Sequence, residues 1–273
     1  MQYLIIGAGP AGVNAAESLR QLDPDAAIRI IGDEPEPPYS RMAIPYLLMN
    51  RVDEHGTHLR DQADHFAGLD IQVVQGRVAK VDPPAHQVTL EDGSVVAYDK
   101  LLIATGSSPA NPPIPGIDGP NVSSCWTLAD ARVISGKALP DSHVALIGAG
   151  FIGSIILEAL GMRGVRLSVI EQGERMVPRM MGAQAGGLLK RWCEEKGVEV
   201  HTGVAVDRIE SNGVHLADGT HIDADLVITA TGVRPNVAFL EGSGATVDQG
   251  VVIDRHFRTS EQDVYAAGDV AQG

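Results

Sequence analysis

Short unbroken apolar runs, each stopped by glycine, alternate along this chain with stretches of mixed polarity. Tyr3–Ile6 runs into Gly7, and Val144–Ile147 runs into Gly148. Apolar runs of this length predict strands covered on both faces, as in a parallel sheet. After the first glycine turn, small and apolar residues recur at helical spacing: Ala11, Ala15, Ala16 and Leu19. That spacing predicts a helix whose inner face lies close on the strands. A second apolar run follows in each place, "AIRIIGD" and "VRLSVIE". The order strand, turn, helix, strand predicts βαβ units and an α/β fold.

The pattern occurs twice. "YLIIGAGPAG" at Tyr3–Gly12 recurs as "VALIGAGFIG" at Val144–Gly153. "VTLEDGSVVAYDKLLIATG" at Val88–Gly106 recurs without a gap as "VHLADGTHIDADLVITATG" at Val214–Gly232. Two blocks in the same order imply two copies of one nucleotide-binding architecture. Asp92-Gly93 and Asp218-Gly219 mark a two-residue hairpin in each copy. Between the copies, "SSPANPPIPGIDGP" is dense in Pro and Gly and reads as a connector. The strand in "DVYAAGD" is expected to return to the first sheet. The expected architecture is therefore two Rossmann-like dinucleotide-binding domains, each three-layered (ββα), with the second inserted in the first. Residues 1–112 and 246–273 would form one domain and residues 113–245 the other.

Composition narrows the class. The formal net charge of −14 disfavours a nucleic-acid partner, since phosphate binding needs clustered Lys and Arg. Cys125 and Cys193, the two cysteines, lie far apart and outside any C-x-x-C spacing, so they read as reduced, mostly buried thiols. No metal site is expected, because His55 and His58 have no third ligand near them in sequence. No apolar run approaches membrane-spanning length, and the first strand begins almost at the N-terminus. Neither a span nor a leader is expected, and the cytoplasm is the expected compartment.

Gly7, Gly9 and Gly12 form G-x-G-x-x-G between a strand and a helix. The first glycine permits the tight turn, the second lets a pyrophosphate approach the backbone, and the third lets helix and strand pack closely. The helix N-terminus then favours phosphate charge. An acid is expected about 20 residues on to hold a ribose hydroxyl; Asp33 fits, with Glu34 adjacent. The second copy offers Gly148, Gly150 and Gly153, with Phe151 and Ile152 at the variable positions and Glu171 as the acid. Glu171 would accept from a ribose 2′-hydroxyl and repel a 2′-phosphate, so NADH is expected over NADPH.

The motifs "GAGPAG", "LLIATGSSP", "GAGFIG", "ITATGVRPN" and "VYAAGDVA", in this order over nearly the whole chain, resemble the FAD-dependent pyridine nucleotide–disulfide oxidoreductase superfamily. Within it the chain is similar to ferredoxin and rubredoxin reductases, NADH oxidases and the nitrite reductase flavin module. The resemblance implies FAD in the first copy and NAD(H) in the second. It implies that Ala104, Thr105 and Gly106 pass close to the FAD, and that Asp269 accepts hydrogen bonds from its ribityl and phosphate region. It further implies that Val78 meets the adenine through its backbone and that Gly232 lies against the nicotinamide nucleotide. Arg41 is implied near the flavin, with Ile44 and Pro45 lining it.

Three departures from the family pattern shape the expected function. Aligned on Arg41 in "YSRMAIPY", the lysine of the ferredoxin-reductase run falls at Tyr46, and the single redox cysteine of another branch falls at Met42. A thioether cannot become a thiolate nucleophile. Electrons are therefore expected to pass directly to an external acceptor: a redox carrier protein, oxygen or a partner subunit. Ile155 stands where relatives place a glutamate that orients the nicotinamide, and Glu158 is the nearest acid. Relatives continue past "GDVA", so a C-terminal part is expected to be missing, with an oligomer expected if such a domain exists. The expected function is that of an FAD-dependent NAD(P)H oxidoreductase. The alternatives are an electron-transfer flavin subunit of a larger amino-acid or opine-type dehydrogenase, and a non-catalytic NAD(H)-binding sensor.

Overall fold

The computed structural model describes residues 1–273. Its helices are, in chain order, α1 (Pro10–Leu22), α2 (Ile44–Leu48), α3 (His65–Gly68), α4 (Leu128–Lys137), α5 (Phe151–Gly161) and α6 (Ala183–Glu195). The chain divides into two compact units. Met1–Ser40, His58–Ser108 and Arg234–Gly273 form the first; Arg41–Thr57 and Pro109–Val233 form the second.

The first unit is built on a parallel sheet in the spatial order Val264–Ala266, Lys100–Ile103, Gln2–Ile6, Ala27–Gly32, Ile71–Gln75. Successive side chains of a strand point to opposite faces, and the core divides accordingly. Ile5, Ile28 and Ile30 cluster with Val13 and Ala16 of α1. Leu4, Ile6, Leu101 and Ile103 cluster with Val78, Val81, Val88 and Leu90. The last four belong to an antiparallel meander, Val78–Asp82, Gln87–Leu90 and Val95–Ala97, whose Gly93 takes a φ of 84° in the Asp-Gly turn. Helix, parallel sheet and meander make the three layers, and the strand of "DVYAAGD" does return to this sheet.

The second unit repeats the plan. Its parallel sheet runs Glu199–Thr202, Arg166–Glu171, His143–Ile147, Leu226–Thr229, Val122–Ser124. Ala145, Ile147 and Ile170 pack on Ile209, Val214, Leu216 and Ile222 of a second meander. Both units are α/β Rossmann-type folds.

Residues Arg41–Thr57 lie between two strands of the first unit in sequence but pack in the second. Ile44 and Leu48 of α2 are buried there. The Glu54 carboxylate takes two hydrogen bonds from the Arg132 guanidinium, at 2.8 and 2.7 Å. Arg163 donates to the carbonyls of Leu48 (2.9 Å), Ser135 (2.8 Å) and Ala138 (3.0 Å). These carbonyls end α2 and α4, where no intrahelical donor remains.

One polar chain crosses the second sheet, from buried His143 and Ser168 to the exposed Glu199. Ser168 donates from Oγ to Glu199 Oε2 at 2.9 Å and lies 2.8 Å from His143 Nε2. With the serine proton spent on the glutamate, the imidazole must donate from Nε2, which leaves the buried Nδ1 as an acceptor with no partner. Burial, and then the Arg166 charge, hold the His143 imidazole below its ordinary value. As pH falls below about 6.5, the unfolded chain takes up this proton before the folded chain does. Unfolding measured against pH should therefore show stability lost below about pH 6.5, and His143→Gln should flatten that part of the curve. An unchanged slope would rule out His143 as the cause.

Candidate functional site

Each unit holds a glycine turn at the C-terminal edge of its parallel sheet, where ligands of open α/β sheets bind. Gly7 donates its N–H to Ile31 at 2.7 Å, and Ala104 donates to Ile6 at 2.7 Å. A Cβ on Gly7 would lie 2.1 Å from the Ala104 carbonyl oxygen, and one on Gly12 would lie 2.1 Å from that of Gly7. Both positions are closed to any side chain. A Cβ on Gly9 would meet nothing within 4 Å beyond its own chain neighbours. The second unit matches residue for residue. Gly148 donates to Ile170 at 2.8 Å, and a Cβ on it would lie 2.4 Å from the Ala230 oxygen. A Cβ on Gly153 would lie 2.1 Å from the Gly148 oxygen, and Gly150 is open. Two glycines of each motif thus serve packing, and the middle one faces empty space.

The helix starts agree. No side chain caps α1 or α5, and neither carries an acid in its first turn. The chain does cap α4, where Thr127 and Asp130 form a reciprocal capping box. N-terminal N–H groups left without a side-chain acceptor, beside an open glycine, suit an anionic diphosphate.

Around the first turn the structure gathers several of the expected residues. Ala104 and Thr105 press against Gly7, and Gly106, with a φ of 63°, has open space beside it. A Cβ on Gly268 would lie 3.1 Å from the Ala11 side chain, which places the neighbouring Asp269 beside α1. Asp269 accepts from Ser107 Oγ at 3.2 Å. Val78 begins the meander with its side chain in the core. Glu34 accepts from the Tyr39 hydroxyl at 2.5 Å. Asp33 is displaced: Gly7 pairs with Ile31 as Gly148 pairs with Ile170, so the position matching Glu171 is Gly32. A Cβ there would lie 2.9 Å from that of Ala8, and the acid follows one residue later.

In the second unit the Glu171 carboxylate accepts from Ala149 N–H at 2.8 Å and from Gly173 N–H at 2.7 Å. Phe151 is half-exposed at the start of α5, followed by Ile152, and Gly232 has a φ of 112°, where a Cβ would meet nothing within 4 Å. Arg41 belongs to the second unit. Its guanidinium lies 5.3 Å over the Trp126 ring and donates to the Trp126 carbonyl at 3.3 Å.

Asn236 closes the run "ITATGVRPN", and motif reading gives it no role of its own. Its Nδ2 donates to the Thr105 carbonyl at 2.9 Å and its N–H to Gly106 at 3.0 Å, while its carbonyl accepts from Thr105 Oγ1 at 2.9 Å. It clamps the Ala-Thr-Gly turn from 131 positions away in sequence. No local pattern signals that role.

The pattern defining the pyridine nucleotide-disulphide oxidoreductase family matches residues 1–273. The chain belongs to that family, whose cofactors are FAD and NAD(H). It is 32% identical over 271 residues to the NADH-dependent phenylglyoxylate dehydrogenase subunit epsilon of Aromatoleum evansii, covering 97% of this chain and 64% of that protein. It is 31% identical to rhodocoxin reductase of Rhodococcus erythropolis, covering 99% and 65%. The chain therefore spans about two thirds of the length of these relatives. Among solved structures, the covalent putidaredoxin reductase–putidaredoxin complex superposes with a TM-score of 0.94 at 29% identity, covering 99% of this chain and 67% of that one. Two dinucleotide-shaped cradles, each with its open glycine and uncapped helix, fit these cofactors.

The glycines divide into two classes that mutation separates. Gly12→Ala should destabilise the folded chain by roughly 2 kcal/mol or more through overpacking, read by thermal unfolding. Gly9→Ala should leave unfolding nearly unchanged and weaken dinucleotide binding at least about tenfold, roughly 1.4 kcal/mol, read by cofactor content after purification. Equal effects of the two changes on stability would contradict the assignment.

Proposed function

We propose that this chain is the FAD- and NAD(H)-binding part of an oxidoreductase that takes hydride from NADH and delivers electrons directly to an external acceptor, without a redox-active cysteine. The paired open glycines, Gly9 in the first unit and Gly150 in the second, carry the reading, since one chain has duplicated a dinucleotide cradle. The first cradle would take FAD, with Asp269, Ala104, Thr105 and Gly106 along it and Asp33 or Glu34 at its ribose. The second would take NAD(H), with Glu171 at the ribose and Gly232 beside the nicotinamide nucleotide. When bound, the cofactors supply the hydride and electron chemistry. The protein's residues seat the two diphosphates and hold the ribose hydroxyls.

Two observations support a direct exit for electrons. Arg41–Tyr46 contains no cysteine, and Met42 and Tyr46 are exposed. Both thiols of the chain are buried: burial, and then Asp130, push Cys125 up to about 12, and burial with Glu194 raises Cys193. Neither can act as a thiolate at neutral pH. The acceptor would be a redox carrier protein, as the relation to rhodocoxin reductase favours, or oxygen. A second reading, an electron-transfer subunit of a larger dehydrogenase, draws on the relation to the epsilon subunit. No helix is long and apolar enough to cross a membrane, and the compartment proposed for this reductase is the cytoplasm.

Anaerobic mixing with NADH tests the reading: the flavin absorbance of the holoprotein should bleach within the mixing experiment. A spectrum that stays oxidised with NADH and bleaches with an organic substrate in a partner's presence would favour the subunit reading. NADPH should reduce the protein at least about tenfold less efficiently. Glu171→Gln should narrow that preference about fivefold, which corresponds to on the order of 1 kcal/mol of like-charge repulsion relieved near the surface. An unchanged preference would remove Glu171 from nucleotide selection.

A further inference from the structure

Among the seven non-glycine residues with positive φ, six are Asn, Asp, His or Phe, and one is β-branched: Val177, at φ 48°. A β-branched side chain in the left-handed region is strained, and such strain persists only where the surroundings over-determine it. Here they do. Val177 and its neighbour Met176 are buried, at 4% and 1% exposure. The Val177 carbonyl accepts from Met180 N–H at 3.1 Å and Met181 N–H at 3.0 Å. Arg175 staples the same turn, donating from Nε to the Met181 carbonyl at 2.8 Å and from Nη2 to that of Pro178 at 3.1 Å.

The strained residue has one further bond. Val177 N–H donates to the Ala149 carbonyl at 2.8 Å. Ala149 is the residue between Gly148 and Gly150, and its own N–H is held by Glu171 Oε2 at 2.8 Å. The middle residue of the second glycine turn is thereby gripped from both sides, its N–H by a carboxylate and its carbonyl by a strained backbone donor. In the first turn the position matching Glu171 is Gly32, which has no side chain to grip Ala8.

We propose that Val177 is a positioning residue for the second cradle: its left-handed backbone aims an N–H at Ala149 and so holds the Gly148–Gly150 turn in the shape that admits a dinucleotide diphosphate. The inference rests on the reading of that cradle as the NAD(H) site. It assigns a ligand-binding consequence to a buried side chain outside every motif.

Replacement by Ala and by Gly separates this role from ordinary core packing. Both remove the valine side chain, and Gly removes one carbon more. If Val177 only fills space, Gly is the worse substitute in every measurement. If the left-handed backbone matters, Gly adopts it without strain, whereas Ala keeps the preference for negative φ and loses the buried side chain that holds Val177 against it. In the FAD-loaded full chain, Val177→Ala should raise the NADH dissociation constant and KM at least fivefold with kcat at saturating NADH unchanged within twofold. Val177→Gly should stay within about twofold of wild type for NADH and should unfold at a higher temperature than Val177→Ala.

NADH affinity and unfolding temperature that both fall in the order Val, Ala, Gly would overturn the proposal. So would an unchanged NADH affinity in Val177→Ala. Should the alanine variant fail to fold, Val177→Asn, which tolerates the left-handed region, must still bind NADH like Val177→Gly for the proposal to stand. A wild-type protein that does not bind NADH refutes the functional reading itself. The alanine-to-glycine stability order is measured without ligand, and it then reports on the backbone alone.

Discussion

The contact on which both halves of this protein depend is one of main chain on main chain. In each unit a carbonyl oxygen, that of Ala104 or Ala230, occupies the space where a side chain on Gly7 or Gly148 would begin. That approach lets the strand from Gln2 or His143 end beside its parallel neighbour and turn at once into a helix. The third glycine completes it, because Gly12 and Gly153 let the helix rest on the turn's own carbonyl. Remove either clearance and the helix start shifts away from the sheet edge, carrying its N–H groups with it. The middle glycine is then the one free surface of the turn. Binding geometry is thus a by-product of packing that the fold requires in any case.

The duplicated plan also shows where a cradle tolerates change. Sheet order, meander and glycine clearances agree between the units, but the acid does not. Glu171 lies at the end of its strand and spends its carboxylate partly on backbone donors of its own turn. Its counterpart is Gly32, where a side chain would crowd Ala8, and Asp33 follows one residue later. A carboxylate moved by one residue at a strand end points to the other side of the sheet. The two acid-bearing strand ends therefore differ in construction even though the glycine turns do not, as expected if one chain must hold two different coenzymes.

Much of this was legible in sequence because it is local. The glycine spacing, the helix behind it, the Asp-Gly hairpins and the returning strand each occupy one short segment, and the repeat confirms each against its copy. What escaped depends on distance. Asn236 reaches the Thr105–Gly106 turn across 131 positions. Arg163 gathers helix ends that sequence places far apart, and it draws α2 into the second unit although the chain enters and leaves that segment from the first. Arg41 lies between strands of the first unit in sequence, yet its side chain rests on Trp126 within the second unit. A side chain's neighbours follow from packing, and "YSRMAIPY" carries no mark of which unit buries Ile44 and Leu48. The strain at Val177 was equally hidden, since a valine before a proline reads as extended chain.

The cysteines connect the cap of one helix to the redox character proposed for the whole. Asp130 completes the box at the start of α4, accepting from the backbone N–H groups of Trp126 and Thr127. The same carboxylate lies close enough to Cys125 to add to the burial that raises its thiol. A cap needs its negative charge at a helix N-terminus, whereas a reactive thiol needs positive charge beside it. The two demands are incompatible at one place, and here the cap prevails. Holding α4 in this way silences the thiol that precedes Trp126, so sulfur chemistry is disfavoured there by electrostatics as well as by burial.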